Sequence, residues 1–396
     1  MTDVPHDVSS LGVRPGGAPT AWRRMFSSRD ALKDLFALAG VTVDGSAAHD
    51  IQVHNDRFYR RVMADGSLGL GEAYMDGDWD CAALDQLFDR VIGAQLGDRL
   101  GLTIPLAILR TAAKLQNRQT VERAKEVAYA HYNLPIDIHE ATYDKRLTAS
   151  CGYWKDSDNL DAAQEAKLDL ICRKIGLEKR HTVLDIGCGW GSFIGFAAER
   201  YGASCEGVTV SSEQVAYGLK RYAHLPVKPM LLDYRNYKGP QVDRLVSVGM
   251  FEHVGYKNFR TYFQCARRYL KEDGLFLLHT IWENERYPAI DAWQDKYIFP
   301  NGDLPSLGEI TSAVEGLFVV EDVHNFGADY DKTLMAWAAN FSARRGAMIE
   351  RHGERFYRMW MYYLLQNAGA FRCRHISVGQ LVLSPRGVRG GYESVR

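Results

Sequence analysis

The chain has 396 residues, 46% hydrophobic and 24% charged, with a formal net charge of -1. That size and composition suit one large globular domain with a smaller one, and the balanced charge excludes the global basic field of a nucleic-acid binder. Seven scattered cysteines, odd in number and without a Cys-x-x-Cys pair, exclude a disulfide frame or zinc site and suit reduced thiols in a cytoplasmic protein.

Taken in chain order, residues 1–28 are polar around "GVRPGGAP" and read as a disordered tail. They lack the charged start and apolar core of a secretory signal. Residues 29–118 form a first unit. Within it, "FYRRVMADGSLGLGEAYMDGDWD" (58–80) mixes Gly, Asp and aromatics, which suggests turns packed by large side chains and then helices. The unit shows no repeat and no catalytic cluster. The most apolar helical piece, "GLTIPLAILRTAAKL" (101–115), is broken by Pro105, Arg110 and Lys114. It falls short of the ~18 apolar residues of a membrane span. The polar, basic stretch 110–125 reads as a linker into the second unit, 119–396.

From residue 181 the pattern alternates. "HTVLDIG" (181–187) is a short strand ending in glycine, and "FIGFAAERYG" (193–202) has helical spacing. "SCEGVTV" (204–210) is a strand, and "SSEQVAYGLKRYA" (211–223) opens on a serine cap and continues as a helix. "VKPMLL", "VDRLVSVG" and "GLFLLHTI" (274–281) read as further strands. Such alternation predicts an α/β fold, a parallel sheet covered by helices on both faces, with ligands at the carboxyl ends of the strands.

The glycine loop "LDIGCGWGSF" (184–193) lies between a strand and a helix, where glycines allow a tight turn and close approach of backbone to ligand. Its spacing is Gly-x-Gly-x-Gly, with Asp185 two residues ahead of Gly187. A dinucleotide site uses Gly-x-Gly-x-x-Gly and seats a pyrophosphate on the helix. The spacing here suits S-adenosylmethionine, a sulfonium without phosphate. At the end of the second strand, where an acid commonly holds ribose hydroxyls, stands Thr209. Glu206 lies three residues earlier and points to the opposite face, so Thr209 and Gln214 are expected to share that work. Glu252 and His253 fall where the strand 242–249 runs out. No second histidine follows at metal-ligand spacing. On the residues alone the pair could be metal ligands, an acid/base pair or the start of a helix; with the resemblance given below, Glu252 is expected to face the reacting centre and His253 to support the turn. On residues alone, Cys151 reads more readily as an inert core thiol and His279 as a satisfied core histidine, and Tyr330 reads also as a packing residue.

These residues, together with "SCGYW" (150–154), "VSVGMFEHVG" (246–255), "FLLHTI" (276–281), "HNFGADYDKTLMAW" (324–337) and "GSLGLGEAYMDGDWD" (66–80), resemble the bacterial cyclopropane-fatty-acyl-phospholipid synthases. The resemblance runs from about residue 50 to near the end. It implies a Rossmann-like class I methyltransferase with a mostly parallel seven-stranded sheet, plus a smaller mixed and helical N-terminal domain (29–118) that binds lipid and dimerises. It implies methyl transfer from S-adenosyl-L-methionine to a cis double bond of a phospholipid acyl chain, then loss of a proton and ring closure, with bound bicarbonate as base. Cys151, Glu252, His279, Ile281 and Tyr330 would surround the bicarbonate, Cys151 and Ile281 through backbone N–H groups. Ser150, Asp185, Gly187, Cys188, Gly189, Trp190, Gly191, Thr209, Ser211, Gln214, Tyr234 and Arg235 would hold the donor. No metal is implied. An alkene is a weak nucleophile and needs a dry, in-line site. The carbocation formed on it needs aromatic faces, for which Tyr153, Trp154, Phe251, Tyr297, Phe299 and Tyr330 are candidates.

Two positions depart from the family pattern: Ala149 stands where relatives often have tyrosine, and Asn367 where many have a cysteine. A nucleophilic thiol at 367 is therefore no part of this chain's mechanism. A phospholipid substrate implies a peripheral enzyme, cytoplasmic and on the inner face of the cell membrane. From Trp337 to Arg396 there are ten Arg and three acidic residues, interleaved with Phe356, Tyr357, Trp360, Tyr362 and Tyr363. That mixture suits an anionic interface and equally suits a helix packing its aromatics on the sheet. Residues 101–125 are a second candidate surface. Competing readings are a methyl or methylene branch without ring closure, a small-molecule N-methyltransferase, and a non-catalytic lipid binder.

Overall fold

The computed structural model describes residues 28–96, 134–284 and 290–396. Residues 1–27 of the expected tail, the linker at 110–125 and the apolar stretch 101–115 lie outside the described residues. Ser28 already begins a helix. The N-terminal unit comprises α1 (Ser28–Ala37), β1 (Gln52–Val53), α2 (Arg57–Met75), β2 (Trp79–Asp80) and α3 (Leu84–Gly93), with β1 and β2 antiparallel. The glycine-rich stretch expected to form turns is instead two helical segments joined at Gly66, with a turn at 76–78 before β2. Its kink is at Gly66, with φ 56° and ψ -127°, a backbone state that glycine adopts without strain. The helix persists because Phe58, Tyr59, Val62, Leu70, Ala73 and Tyr74 recur at helical spacing and are buried.

The second unit continues with α4 (Ile136–Thr142), α5 (Leu160–Lys174), β3 (Thr182–Ile186), α6 (Ser192–Tyr201), β4 (Ser204–Thr209), α7 (Ser212–Arg221), β5 (Val227–Leu231), β6 (Val242–Val248), α8 (Phe259–Tyr269) and β7 (Leu270–Glu283). There follow α9 (Ala292–Tyr297), α10 (Leu307–Val314), β8 (Val319–Asn325), α11 (Ala328–Ala343), α12 (Arg345–His352), α13 (Glu354–Arg372) and β9 (Ile376–Ser384). The seven strands run in the order β5-β4-β3-β6-β7-β9-β8. All neighbours are parallel except at β9, which is antiparallel to both β7 and β8. The α/β sheet inferred from the alternating pattern is thus present.

Period-two alternation along β3 divides the chemistry between two faces. Leu184 and Ile186 pack with Tyr262 and Phe263 of α8. Val183 packs with Leu168 and Ile171 of α5 and Ile194 of α6. Asp185, two residues on, lies on the α5 side at the carboxyl end. A third core joins the N-terminal unit to the C-terminal helices: Phe58, Trp79 and Phe88 share it with Trp337, Trp360, Tyr362 and Phe371. The Tyr362 ring alone lies 5.5 Å from Tyr74, 5.0 Å from Phe88 in an edge-to-face contact and 4.5 Å from Trp293.

Of the two readings the 337–396 stretch allows, the aromatics of α13 follow the second: they pack inward, against the N-terminal unit more than the sheet. Trp360 and Tyr362 are buried. Arg358 lies over the Tyr74 ring at 4.0 Å and binds Asp80 at 2.7 Å. Arg372 clasps Asp85 at 2.6 Å and Asp331 at 2.8 Å. Three of the stretch's ten arginines, Arg355, Arg358 and Arg372, tie α13 to Asp76, Asp80 and Asp85 of the N-terminal unit.

Candidate active site

A cavity of about 780 Å³ opens where the carboxyl ends of the central strands meet the N-terminal unit. Its floor carries Asp185, Gly187, Thr209, Gly249, Glu252 and Ile281 from the strand ends and the loops after them. Its far wall is Gly66, Leu70, Phe88, Ile92 and Leu96 of the N-terminal unit. Between them stand Tyr143, Phe299, Tyr330, Trp360, Tyr362 and Tyr363. The chamber thus has a polar floor and an aromatic, water-excluding wall.

The glycine loop forms the floor's first part. Gly187, Gly189 and Gly191 all have positive φ, 89°, 53° and 84°, and the N–H groups of Gly187 and Cys188 both donate to Val208 O at 3.0 Å. This folds the loop back over the end of β4. A Cβ on Gly187 would stand 2.5 Å from Met250 Cγ. Asp185, Gly187, Cys188, Gly189 and Trp190 line the cavity; Gly191 stands behind them as the cap of α6. Thr209 Oγ1 donates to Gln214 Oε1 at 2.6 Å, so the two side chains expected to work together are joined, and both line the cavity. Ser211 caps α7 by accepting from Gln214 N–H and does not line it. Glu206 is not a lining residue; it accepts from Tyr237 Oη at 2.8 Å. Tyr234 and Arg235 sit on the rim, where Asp233 pairs with Arg235 at 2.6 Å.

Burial dominates the electrostatics. Asp185 is buried, Oδ1 has no hydrogen-bond partner, and desolvation pushes its carboxyl up to about 7 against the pull of Lys167. Lys167 is itself buried and pushed down to about 8, and it donates to Ser150 Oγ at 2.8 Å.

The second part of the floor is built on β6 and β7. Glu252 follows β6 in a short 3₁₀ turn. Its Oε1 accepts the Ile281 N–H at 2.7 Å, while Oε2 is buried without a partner. Burial pushes this carboxyl up to about 7, outweighing the Ile281 N–H. His279 lies on β7 beside Phe326, ring centroids 5.6 Å apart. Burial drives its pKa well below 6.5, so the imidazole is neutral, and Nε2 has no partner. Tyr330 stacks on Phe371 at 4.5 Å, and burial holds its phenol protonated.

Glu252, Ile281 and Tyr330 line the cavity; Cys151 and His279 lie one layer behind. The Cys151 thiol is aimed at Gly152 O (3.1 Å) and the Thr333 hydroxyl (3.9 Å), away from the cavity. His253, expected only to support its turn, lines the cavity near Phe299, their ring centroids 6.0 Å apart. Of the aromatic candidates, Phe299 and Tyr330 reach the cavity; Tyr153, Trp154, Phe251 and Tyr297 do not. Phe251 instead fills the core under α8, stacked on Phe259 at 4.5 Å. The aromatics that do form the wall, Trp360, Tyr362 and Tyr363, come from α13 and Tyr143 from the residues after α4. Asn367 also lines the wall, its Nδ2 donating to Tyr363 O and its Oδ1 accepting from Gln294.

Residues 119–381 match the family described as mycolic acid cyclopropane synthetase. The chain belongs to this family. It is 47% identical over 363 residues to the cyclopropane-fatty-acyl-phospholipid synthase of Escherichia coli K12, spanning 92% of this chain and 94% of that one. It is 35% identical to cyclopropane mycolic acid synthase 1 of Mycobacterium tuberculosis over 63% of this chain and 94% of the relative. Among solved structures, the mycolic acid cyclopropane synthase CmaA1 complexed with SAH and CTAB superposes with a TM-score of 0.61 at 33% identity, covering 65% and 97% of the two chains. The family's S-adenosylmethionine-dependent methyltransferase fold is the seven-stranded sheet described above. The Escherichia coli relative matches well beyond the mycolic acid synthases, into the N-terminal unit that supplies this cavity's far wall.

Proposed function

We propose that this chain is a cyclopropane-fatty-acyl-phospholipid synthase, converting the cis double bond of an unsaturated phospholipid acyl chain to a cyclopropane. The observation that carries this reading is one cavity whose floor joins a glycine-loop donor pocket to a buried carboxyl, under an aromatic wall that admits an acyl chain. Asp185, the glycine loop, Thr209 with Gln214, and Ser150 would hold S-adenosylmethionine, whose sulfonium supplies an electrophilic methyl group. The wall from Tyr330 to Tyr363 excludes water and holds the alkene against that methyl. The alkene's π electrons would form the new carbon–carbon bond as the S–CH3 bond breaks and its electron pair leaves on sulfur as S-adenosylhomocysteine, and the cation left on the acyl chain would be stabilised by the aromatic faces. The added methyl then gives up a proton, and its C–H electron pair closes the ring.

Two buried atoms without partners, Glu252 Oε2 and His279 Nε2, support a small polar occupant beside Ile281 and Tyr330. A neutral carboxyl, a neutral imidazole and a phenol are all donors, which suits an anion. Bicarbonate fits that set and would supply a mild base. Access to the substrate makes this a peripheral membrane enzyme, and no helix among the described residues is long and apolar enough to cross a membrane. We assign a homodimer through the N-terminal unit, which light scattering on the purified protein checks.

The test is incubation with S-adenosylmethionine, bicarbonate and vesicles of unsaturated phospholipid, followed by mass spectrometry and NMR of the fatty acids. Ring protons should replace alkene protons with a gain of one methylene. A branched product would move the reading to a fatty-acyl methyltransferase, and unmodified lipid would refute both.

A further inference from the structure

Lys167 stands apart from the other buried cations. It sits on α5 between the sheet and solvent-facing residues, and its side chain is completely buried. Its one hydrogen bond is to Ser150 Oγ, leaving two of three N–H donors unused. Among the described residues no carboxylate lies within ion-pair distance of it. Asp144, the strongest favourable charge nearby, is committed: its oxygens accept from the N–H groups of Arg146 (2.9 Å) and Thr148 (2.7 Å) and from the Thr148 hydroxyl (3.3 Å). The Cys151 thiol is held protonated by burial. Contrast Lys174, also buried, which meets Asp322 at 3.4 Å beside Arg396. A buried ammonium without an anion is strongly unfavourable, so the position of Lys167 calls for one.

The cavity supplies the place. Lys167, Ser150 and Asp185 line it together at the glycine-loop end. The amino-acid end of S-adenosylmethionine is a zwitterion. Asp185, with Oδ1 unpartnered, matches its ammonium. Among the described residues, the only other lysine or arginine lining the cavity is Arg235, which is partly exposed and paired with Asp233. The geometry points to Lys167 as the positioning residue that seats the donor's carboxylate, acting through the Ser150 hydroxyl it holds. This rests on the methyltransferase reading above. Ser150, held by Lys167, and Asp185 then engage the two charges of one end of the donor, which fixes the direction of the sulfonium methyl toward the acyl chamber.

The experiment is calorimetric titration of the full-length protein with S-adenosylhomocysteine and with its decarboxylated counterpart, which keeps the thioether and amine. Wild type should prefer the carboxylate-bearing ligand. Lys167→Met should bind S-adenosylhomocysteine about 10- to 100-fold more weakly, the size of a lost charge-assisted hydrogen bond. Its affinity for the decarboxylated ligand should change by less than about threefold, within ordinary additivity error. Ser150→Ala, which leaves the lysine in place, should show the same selective loss and decides the matter if Lys167→Met does not fold. Equal loss toward both ligands, or no loss, overturns the assignment. Wild-type conversion of phospholipid, measured in parallel, separates the two levels. An active wild type with no carboxylate preference refutes Lys167 alone, whereas a wild type that binds neither ligand refutes the methyltransferase reading with it.

Discussion

Replacing Glu252 with glutamine should make the protein's stability less sensitive to pH while lowering its activity. Burial raises the Glu252 carboxyl from about 4.5 to about 7, so ionisation is easy in the unfolded chain and hard in the folded one. The sign follows from linkage: the unfolded state gives up its proton first, and wild type loses stability as pH rises from 4.5 to 7. Integrating between pH 5 and pH 8 for these two pKa values gives about 2.5 kcal/mol lost by wild type. Glutamine does not ionise and loses none of it. The amide places an N–H₂ where Oε2 has no partner, an offset of about 1–3 kcal/mol that does not vary with pH. The assay is therefore urea unfolding of both proteins at pH 5 and pH 8, read as the change in their difference. A difference that is the same at both values refutes the claim that Glu252 titrates near neutrality in this pocket. Turnover of unsaturated phospholipid should fall, with S-adenosylhomocysteine affinity kept and partial rescue by excess bicarbonate.

Three further changes probe the wall. A Cβ at Gly71 would lie 2.3 Å from Trp293 Cδ1, so Gly71→Ala should cost about 1–3 kcal/mol by overpacking. It should also lower lipid turnover without weakening S-adenosylhomocysteine binding; unaltered thermal unfolding would contradict the contact. Tyr363→Leu removes a ring beside Phe299 (5.7 Å) and Trp360 (5.1 Å). Loss of one cation-facing ring should reduce kcat about 3- to 30-fold with donor KM unchanged, and a kcat equal to wild type in steady-state assays would remove Tyr363 from the mechanism. Asn367→Cys should stay active, because its hydrogen bonds serve only Tyr363 O and Gln294, yet become sensitive to maleimide in an activity assay protected by lipid vesicles; full activity after labelling would place residue 367 off the acyl path.

The donor half of the site is legible in sequence because it is local. The loop from Leu184 to Phe193, with Asp185 and Gly-x-Gly-x-Gly, spans ten residues, and Thr209 with Gln214 spans six. Five strands can be read from short apolar runs. β8 and β9 are missed by that pattern: β9 is buried along its whole length, and β8 is a half-exposed edge strand with Val319, Val320 and Val323 outward. The acyl half is not local. Tyr143, Phe299 and Tyr363 meet only through tertiary packing. The alternation of arginine and aromatics in α13 is the same whether its partner is a membrane or the acids and rings of the N-terminal unit. Only Asp80, Asp85 and Tyr74, far away in the chain, decide which.

Buried ionisable groups in this fold divide by where their partners are. Lys174, Asp322 and Arg396 satisfy one another, with Ser394 completing the Asp322 carboxylate at 2.9 Å; such a set holds structure together and needs nothing from outside. Asp185 Oδ1, Glu252 Oε2 and His279 Nε2 are as deeply buried and have no partner. All three lie at the carboxyl end of the same sheet, on β3, just after β6 and on β7. Leaving them unsatisfied destabilises the folded chain, and a closed apolar core of this size would be more stable without them. The ligands proposed above would complete them: an ammonium for Asp185 and a small anion near Glu252 and His279. The same distinction separates Lys167 from Lys174 on a single helix, and it explains why one sheet end can carry acid, imidazole and ammonium without their cancelling one another.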